Sequence, residues 1–260
     1  MKKNKLSGII SVAVMGLALM NFASCSEKKF KVNGTITQAK DSILYLENMS
    51  LSGPRTVDSV KLDESGNFEF SYKAAPAPEF YRLRIANQIV NIGVDSTETI
   101  NVKAAYPTMS ANYEVSGSEE CAKIRELAYM QLALQNKVTA IANSNSLGVA
   151  AVEDSVAKVL DVYKNKVKMD YIFKEPMKAY AYYALFQTVQ LGNANMLIFN
   201  PRSNKEDVKV FAAVATSWDT YFPEAERGLN LHNIAIEGMK NVRIAENNAR
   251  QTISADKVQV

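Results

Sequence analysis

Hydrophobic and polar residues alternate along most of the segment from Phe30 to about Ser118, which is the pattern of half-buried β-strands. The predicted strands include FKVNGTI, with a turn at Asn33-Gly34, and SILYLENM, in which both faces carry apolar residues. Three more short strands follow in EFYRLRIANQIVNIGVDSTETINVKAA. Roughly seven or eight short strands at about 8–12-residue spacing predict an antiparallel β-sandwich or open barrel.

The clearest unit in this part of the chain is TVDSVKLDESGNFEFSYK. Apolar residues lead into the turn-forming DESGN segment, and aromatic residues alternate with polar ones after it. This arrangement predicts a hairpin with a glycine-containing loop. The prolines that follow, Pro76 and Pro78, predict an irregular segment without pairing before the next strand.

After Ser118 the spacing of apolar residues changes to three and four, which is typical of helices. Either Ser116 or Ser118 is the predicted N-cap of the first helix. Its apolar stripe is predicted to consist of Cys121, Ile124, Ala128 and Leu132.

Four further helical stretches are predicted. The second lies near Val149 to Phe173, and the third runs from Pro176 to a natural stop at Gly192. Ser203 with Glu206 caps the fourth, which reaches Trp218 to Tyr221. A fifth stretch opens at Pro223, restarts near His232 and ends at about Arg250.

This order of elements predicts an α+β protein in which the two kinds of structure are segregated. Residues 30–118 form the β-domain and residues 119–250 a helical bundle. The pattern predicts a turn after Arg250 and a new alternating run that includes Val258 and Val260. We interpret residues 251–260 as a linker towards a further domain that is missing from this chain.

The N-terminal 24 residues have the layout of a secretory signal. Three lysines precede an uncharged apolar stretch from Leu6 to Ala23, and the small residues Ala23 and Ser24 precede a possible cleavage point. The stretch is long enough for a spanning helix. Glycine, serine and asparagine dilute it, however, and the small residues before Cys25 favour processing.

The sequence Phe22-Ala23-Ser24-Cys25 resembles a bacterial lipobox, with phenylalanine where leucine is usual. The resemblance implies that the Cys25 thiol is acylated, that the chain is cut before it, and that several acyl chains anchor it. One chain alone would bind a membrane only weakly. Residues 25–29 are then a lipidated tether. An uncleaved anchor and a plain signal peptide are the alternatives.

Cleavage before Cys25 changes the charge of the protein. It removes three lysines and no acid, so the formal net charge falls from +3 to zero. A nucleic-acid-binding protein is expected to carry a basic surplus. The mature composition therefore argues against a nucleic-acid partner.

Isolated residues with reactive side chains each have a structural explanation. Cys121 could be a redox thiol, but its place on an apolar stripe favours a small buried residue. His232 has no ligand or acid beside it in sequence, so a role in packing or at a helix start is favoured over catalysis. Asp58, Asp63 and Glu64 suggest calcium, yet they supply too few oxygen ligands, and turn formation explains them.

An aromatic run crosses the predicted second and third helices. Core packing is favoured at this helical spacing, whereas Tyr180, Tyr182 and Tyr183 are the candidates for a partner or glycan surface. No phosphate-binding loop, Gly-x-Ser-x-Gly or metal-spaced His/Cys set is present. The sequence therefore predicts no catalytic residue, no metal and no cofactor. The run consists of Tyr171, Phe173, Tyr180, Tyr182, Tyr183 and Phe186.

Several segments, FKVNGTI, ILYLEN, VDSVKLDESGNFEF, EFYRLRI and YEVSGSEE, resemble an N-terminal domain of unknown function, family 4369. This domain occurs in lipid-anchored proteins of Gram-negative bacteria, before a thioredoxin-like domain of the ResA/TlpA type. The resemblance covers Phe30 to Ser118 and extends loosely into the helices. This chain has no Cys-x-x-Cys, and Trp218, its one tryptophan, has no cysteine beside it, so no redox residue is carried over.

Three hypotheses follow. The first is a non-catalytic, lipid-anchored module on the periplasmic side of the envelope, which positions or docks a thioredoxin-like domain absent from this chain. Its partners are the membrane, through the lipid, and a protein. The second is a stand-alone lipoprotein that binds glycan or peptide at the cell envelope. The third is a complete enzyme with an unrecognised motif.

Overall fold

The computed structural model describes residues 28–146 and 148–258, with side chains up to 251. The predicted signal segment and the predicted lipidation site, Cys25, lie outside the described residues. The described part is an α+β fold, with an N-terminal β region followed by helices, as the sequence predicts.

Eight strands form two four-stranded sheets. The first sheet has the order β4-β1-β7-β8, and the second has the order β3-β2-β5-β6. The strands are β1 (Lys29–Thr37), β2 (Ile43–Ser50), β3 (Gly53–Lys61), β4 (Asn67–Lys73), β5 (Glu79–Ile85), β6 (Gln88–Val94), β7 (Thr99–Ala105) and β8 (Tyr113–Ser116). The alternating side chains of both sheets meet in one buried core, which includes Phe30, Val32, Leu46, Leu83, Ile92 and Ile100.

One of the two inner strands of the first sheet, β1, differs from the prediction in two ways. β1 pairs with β7 in parallel, so the sheet is not wholly antiparallel. Asn33-Gly34 is not a turn, because β1 continues through it. Gly34 has φ +148° and lies against β7, where a Cβ would stand 1.8 Å from the Val102 carbonyl oxygen. This close backbone contact explains the glycine.

The predicted hairpin at DESGN is also wrong, because its two strands belong to different sheets. β3 pairs with β2, whereas β4 pairs with β1. The turn chemistry itself is present: the Asp63 carboxylate accepts hydrogen bonds from the backbone N–H groups of Ser65 at 2.8 Å and Gly66 at 3.2 Å. An alternating pattern places one face of a strand in a core, and it does not distinguish a hairpin from a crossing between two sheets.

Helix α1 (Glu119–Ala142) begins at the N-cap Ser118, whose hydroxyl accepts the Cys121 N–H at 3.3 Å. Its buried face departs from the predicted stripe after the first turn. Leu132 is 41% exposed, while the buried residues are Glu120, Cys121, Ile124, Leu127, Leu134 and Val138. The stripe shifts because α1 packs first on the sandwich and then on α2 (Val149–Val167).

The predicted second helix corresponds to α2 and a five-residue π-helical segment, Lys168–Ile172. Val156, Tyr163 and Val167 are buried, as the pattern predicts. The third predicted helix is largely wrong. Only α3 (Ala179–Leu185) is helical, and a hairpin of β9 (Thr188–Leu191) and β10 (Ala194–Leu197) follows it. Gly192, the predicted helix stop, has φ +58° in the hairpin turn.

Two antiparallel helices complete the described chain. Asn204, rather than Ser203, caps α4 (Lys205–Tyr221) by accepting the N–H groups of the next helical residues. Helix α5 (Glu226–Val258) is continuous. It neither restarts near His232 nor ends at Arg250, so residues 251–258 extend the helix where a linker is predicted. Among the described residues, no helix combines the length and apolar character needed to span a bilayer.

Candidate functional site

The first turn of α1 is seated on strand β6 of the sandwich. Gly93 allows this close approach, because a Cβ there would lie 2.6 Å from the Ile124 Cδ1 atom. The Cys121 thiol, 1% exposed, donates to the Gly93 carbonyl oxygen at 3.1 Å. Burial raises the pKa of this thiol to about 12. Cys121 is therefore a packed, protonated thiol, as the apolar stripe predicts.

Beside this contact, a cavity of about 400 Å³ opens between the sandwich and the helical domain. It lies among the end of β2, strands β5 and β6, and helices α1, α3 and α5. Both apolar and polar side chains line the cavity, and most of the polar ones are amides. The main apolar lining residues are Met49, Leu51, Phe80, Tyr182 and Phe186, and the main polar ones are Asn91, Gln131, Tyr183, Gln187, Arg227 and Asn230.

Arg227 is the one charged residue that lines this cavity, and its charge is already compensated. The residue is 8% exposed, and its guanidinium group forms an ion pair with Glu79 of β5. It also donates to the Met49 carbonyl oxygen of β2. Its guanidinium carbon lies 4.9 Å from the Phe80 ring centroid and 5.6 Å from that of Tyr182. Arg227 therefore joins α5 to the sandwich.

A network of hydrogen bonds fixes the amide side chains of the cavity. Gln187, 3% exposed, donates from Nε2 to the Leu127 carbonyl oxygen at 3.0 Å and to Gln131 Oε1 at 3.2 Å. Its own Oε1 accepts the Tyr163 hydroxyl at 2.7 Å. Across the domain boundary, Asn91 Nδ2 donates to the Tyr183 hydroxyl at 3.1 Å. These contacts determine the orientation of each amide.

A second cavity, of about 500 Å³, adjoins the first because both are lined by Asn91, Gln131 and Tyr183. Its further amide side chains are those of Gln135, Gln190, Asn193 and Asn195. We call the two cavities together the interdomain cleft. Its neutral amides and aromatic rings suit hydrogen bonding to, and stacking on, an uncharged polar ligand.

The tyrosines named as candidates for a partner surface are mostly core residues, which is the role that their spacing favours. Tyr180 and Tyr182 are 2% and 5% exposed, so they form no open surface. The Tyr182 ring packs against those of Phe80, at 5.2 Å between centroids, and Trp218, at 4.9 Å. Tyr182 and Tyr183 line the cleft, whereas Tyr180 donates its hydroxyl to Glu175.

The other candidate residues lie apart from the cleft lining. His232 is an exposed residue within α5, and its Nδ1 lies 2.9 Å from the Asp219 carboxylate, so the prediction of a packing or helix-start role is wrong. Asp63 makes the turn described above, and Glu64 pairs with Lys40. Within the described residues, no group of three or more His, Cys, Asp or Glu side chains could hold a metal ion.

Sequence reasoning missed the residues that matter most in the cleft. Arg227, Gln187 and Asn91 come from elements far apart in the chain, and each is an ordinary surface residue type. Two features of the sequence could have indicated these residues. Gln131 and Gln135 are two amides one helical turn apart on a helix whose other face is predicted to be apolar. Gln187 is an amide within the apolar run after Tyr183.

Comparison with known proteins identifies part of the chain. Residues 30–123 match the family profile described as Domain of unknown function (DUF4369). No curated protein matches the sequence. Among solved structures, a 9R-lipoxygenase from Cyanothece PCC8801 aligns with 65% of this chain and 28% of its own, at 13% identity and a TM-score of 0.21. That similarity is too low to support an argument about fold or function.

Proposed function

We propose that this chain, whose residues 30–123 carry a DUF4369 domain, is a non-catalytic module of a lipoprotein in the bacterial cell envelope. It is anchored through Cys25 on the periplasmic side, and it positions a thioredoxin-like domain that is absent from the chain. The observation that carries this proposal is the tight union of the sandwich and the helical domain. A spacer that sets a position must be stiff, and a buried interface provides stiffness.

Three separate contacts hold the two domains together. Arg227 of α5 reaches both Glu79 and the Met49 carbonyl in the sandwich. Asn91 of β6 bonds to Tyr183 of α3. The Gly93 contact with α1 forms the third. Because the contacts come from three different helices, rotation of one domain against the other would break at least one of them.

The chemistry of the described residues supports a non-catalytic role. The Cys121 thiol is buried and protonated, so it lacks the thiolate that attacks disulfides. The charge of Arg227 is compensated by its ion pair with Glu79. The remaining polar side chains of the cleft are amides, phenols and the hydroxyls of Ser50, Ser110 and Thr188, which bind and orient ligands more often than they transfer protons.

The anchor is tested by membrane fractionation of Cys25→Ala. We expect this variant to move from the membrane fraction to the soluble fraction, while a Cys121→Ala control stays with the membranes. A Cys25→Ala chain that has lost the segment before residue 25 and still remains membrane-bound after high-salt washing would show that lipidation of Cys25 is not what anchors the protein.

The thioredoxin-like domain is tested by reading the coding sequence after Val260. We expect a continuing frame with a strand–helix–strand pattern and a Trp-Cys-x-x-Cys motif. A stop codon directly after Val260 would contradict this half of the proposal.

A second candidate function, binding of a glycan or peptide, is favoured by the composition of the interdomain cleft. Trp218, the single tryptophan, packs on Tyr182, which lines the cleft. The fluorescence of Trp218 should therefore change when a ligand occupies the cleft. We expect one of two probes, chitobiose or trialanine, to change the Trp218 fluorescence when it is titrated into the protein. Asn91→Ala should weaken the response, and Asn101→Ala, which removes a similar amide outside the cleft, should not. Flat titrations with both probes would argue against this function.

A further inference from the structure

A cluster of unpaired cations lies at the end of the sandwich where the described chain begins. Lys29 opens β1 and Lys28 immediately precedes it, while Lys73 ends β4 directly opposite Lys29 in the register. Arg55 lies near the start of β3. All four side chains are exposed, and none forms a hydrogen bond or ion pair with another described residue. We call these four residues the basic end.

Two of these cations share a cavity. Arg55 and Lys73 line a pocket of about 310 Å³, together with Tyr72 and Tyr81. Burial raises the pKa of Tyr81 to about 12, so its hydroxyl keeps its proton at neutral pH. The acid that lines the same pocket, Glu79, is paired with Arg227. The pocket therefore offers two free cations and phenolic groups without a free carboxylate.

We infer that the basic end binds the phosphate of anionic lipid headgroups and so orients the sandwich on the membrane. This inference rests on the proposed lipid anchor at Cys25. Like charges placed directly across two strands, as in Lys29 and Lys73, destabilise a sheet. An anionic surface would turn that repulsion into attraction, which gives the arrangement a physical reason.

The length of the tether favours a lipid surface over a soluble phosphate. Only Ser26 and Glu27 lie between Cys25 and Lys28. The three steps from Cys25 to Lys28 span at most about 11 Å when fully extended. The Ala74 N–H donates to the Lys28 carbonyl oxygen at 2.8 Å, which fixes Lys28 next to the pocket. The Debye length at physiological ionic strength is about 8 Å. An acylated Cys25 would thus hold the basic end close to a Debye length from the headgroups.

The charges in the vicinity leave this end basic. Lys31, the next cation along β1, is paired with Glu69. In the sequence of the tether, Glu27 is the one acid between Cys25 and Lys28. Two further exposed acids, Glu224 and Glu226, line the neighbouring cavity, which shares Ala75, Pro76 and Glu79 with the pocket. The four cations of the basic end outnumber these three acids. Each basic residue near an anionic leaflet adds to the attraction, and the effect weakens as salt rises.

Lysine labelling of the acylated, full mature chain in vesicles tests the inference. The protein is reconstituted in phosphatidylcholine vesicles with or without phosphatidylglycerol, and an amine-reactive ester is quantified at each lysine by mass spectrometry. We expect Lys28, Lys29 and Lys73 to be labelled about threefold less in the anionic vesicles, with the protection lost at high salt. Exposed lysines of the helical domain, Lys137 and Lys158, serve as internal references.

A paired set of variants isolates the pocket. Arg55→Gln with Lys73→Gln should return Lys28 and Lys29 to the labelling seen without phosphatidylglycerol. Lys174→Gln with Lys240→Gln removes the same charge from exposed sites of the helical domain. This control should leave the protection of Lys28 and Lys29 intact. Equal protection in both double variants would overturn the assignment of the site to the pocket.

The outcomes separate the lipid site from the anchor. A wild-type chain that fails to float with any vesicle overturns the anchor and the inference together. A chain that floats yet shows the same labelling in both lipids overturns the headgroup site alone. Protection by inorganic phosphate without vesicles, as strong as that in anionic vesicles, would assign the pocket to a soluble anion and overturn the lipid source.

Discussion

At the scale of single residues, two buried charged residues connect separate elements: Arg227 joins α5 to the sandwich, and Glu120 joins α1 to the start of α3. Arg227 in α5 is compensated by Glu79 in β5. Glu120 in α1 accepts the Tyr180 N–H at 3.0 Å and lies 3.3 Å from the Lys178 ammonium. A buried charge costs several kcal/mol when its partner is lost, so each pair makes a testable contribution.

Glu79→Gln should destabilise the protein by about 3 kcal/mol, because it leaves the Arg227 charge buried without a counter-ion. The control is Glu69→Gln, which removes a carboxylate from the exposed pair with Lys31 and should cost less than about 1 kcal/mol. The free energy of unfolding in urea measures both. Equal losses would contradict a special role for the buried pair.

Glu120 should make stability depend on pH. Burial raises the pKa of its carboxyl above the ordinary value of 4.5, although the Tyr180 N–H and Lys178 oppose the shift. The folded state then holds the proton more tightly than the unfolded state, so stability falls as pH rises from 4.5 through the folded pKa. Glu120→Gln should remove this fall in urea titrations at several pH values. Glu119→Gln is the matched control and should keep the fall in stability. If Glu120→Gln shows the same dependence of stability on pH as the wild type, another group is responsible for it.

At the scale of elements, helix α1 takes the place of a neighbouring strand along one edge of β9. Gln131 Nε2 donates to the Thr188 carbonyl oxygen at 2.7 Å, and Gln135 Nε2 donates to that of Gln190 at 2.9 Å. Gln135 Oε1 also accepts the Gln190 N–H at 2.8 Å. The edge of β9 that faces α1 is therefore hydrogen-bonded by side chains. This explains how a four-residue strand persists in a helical domain.

The contact between β1 and β7 predicts the effect of a methyl group. Gly34→Ala should destabilise the sandwich by more than about 3 kcal/mol, because the added Cβ overlaps the Val102 carbonyl and the backbone is strained. Gly53→Ala is the control: φ is +118° there, yet nothing lies within 4 Å. Its loss should be limited to about 1 kcal/mol of backbone strain. Thermal unfolding distinguishes them, and similar losses would contradict the close packing of β1 on β7.

Local patterns predicted the strands and most helices, and they failed where partners are distant. The alternation around Val32 and Phe70 correctly indicated buried strand faces, but it did not show that β1 pairs with β7 or that β3 and β4 lie in different sheets. The run after Tyr183 reads as helix by composition, while the glutamines of α1 stabilise a hairpin there. The cleft could not be predicted, since its walls come from both domains.

At the scale of the whole molecule, the sandwich and the helices should unfold together. The first turn of α1 is part of the sandwich core through Cys121, and the same helix continues into the helical core through Leu127 and Leu134. One element that belongs to both cores couples their stability.

Two probes test this coupling. Trp218 fluorescence reports the helical core, and the hydrogen exchange of β1 amides reports the sandwich. Both should give one midpoint in urea. Breaking the Arg227 pair by Glu79→Gln should lower both midpoints in parallel. Separate transitions would mean that the two domains are independent and would also remove the main support for a positioning role.

The parallel pairing of β1 has a mechanical consequence. β1 lies between β4 and β7, with seven register pairs on each side. A force applied at the tether along the strand axis loads both ladders in shear, so many hydrogen bonds must yield together rather than one after another. An anchored protein built in this way would resist extraction by pulling at its N-terminus, and its weakest point under load would lie elsewhere in the molecule.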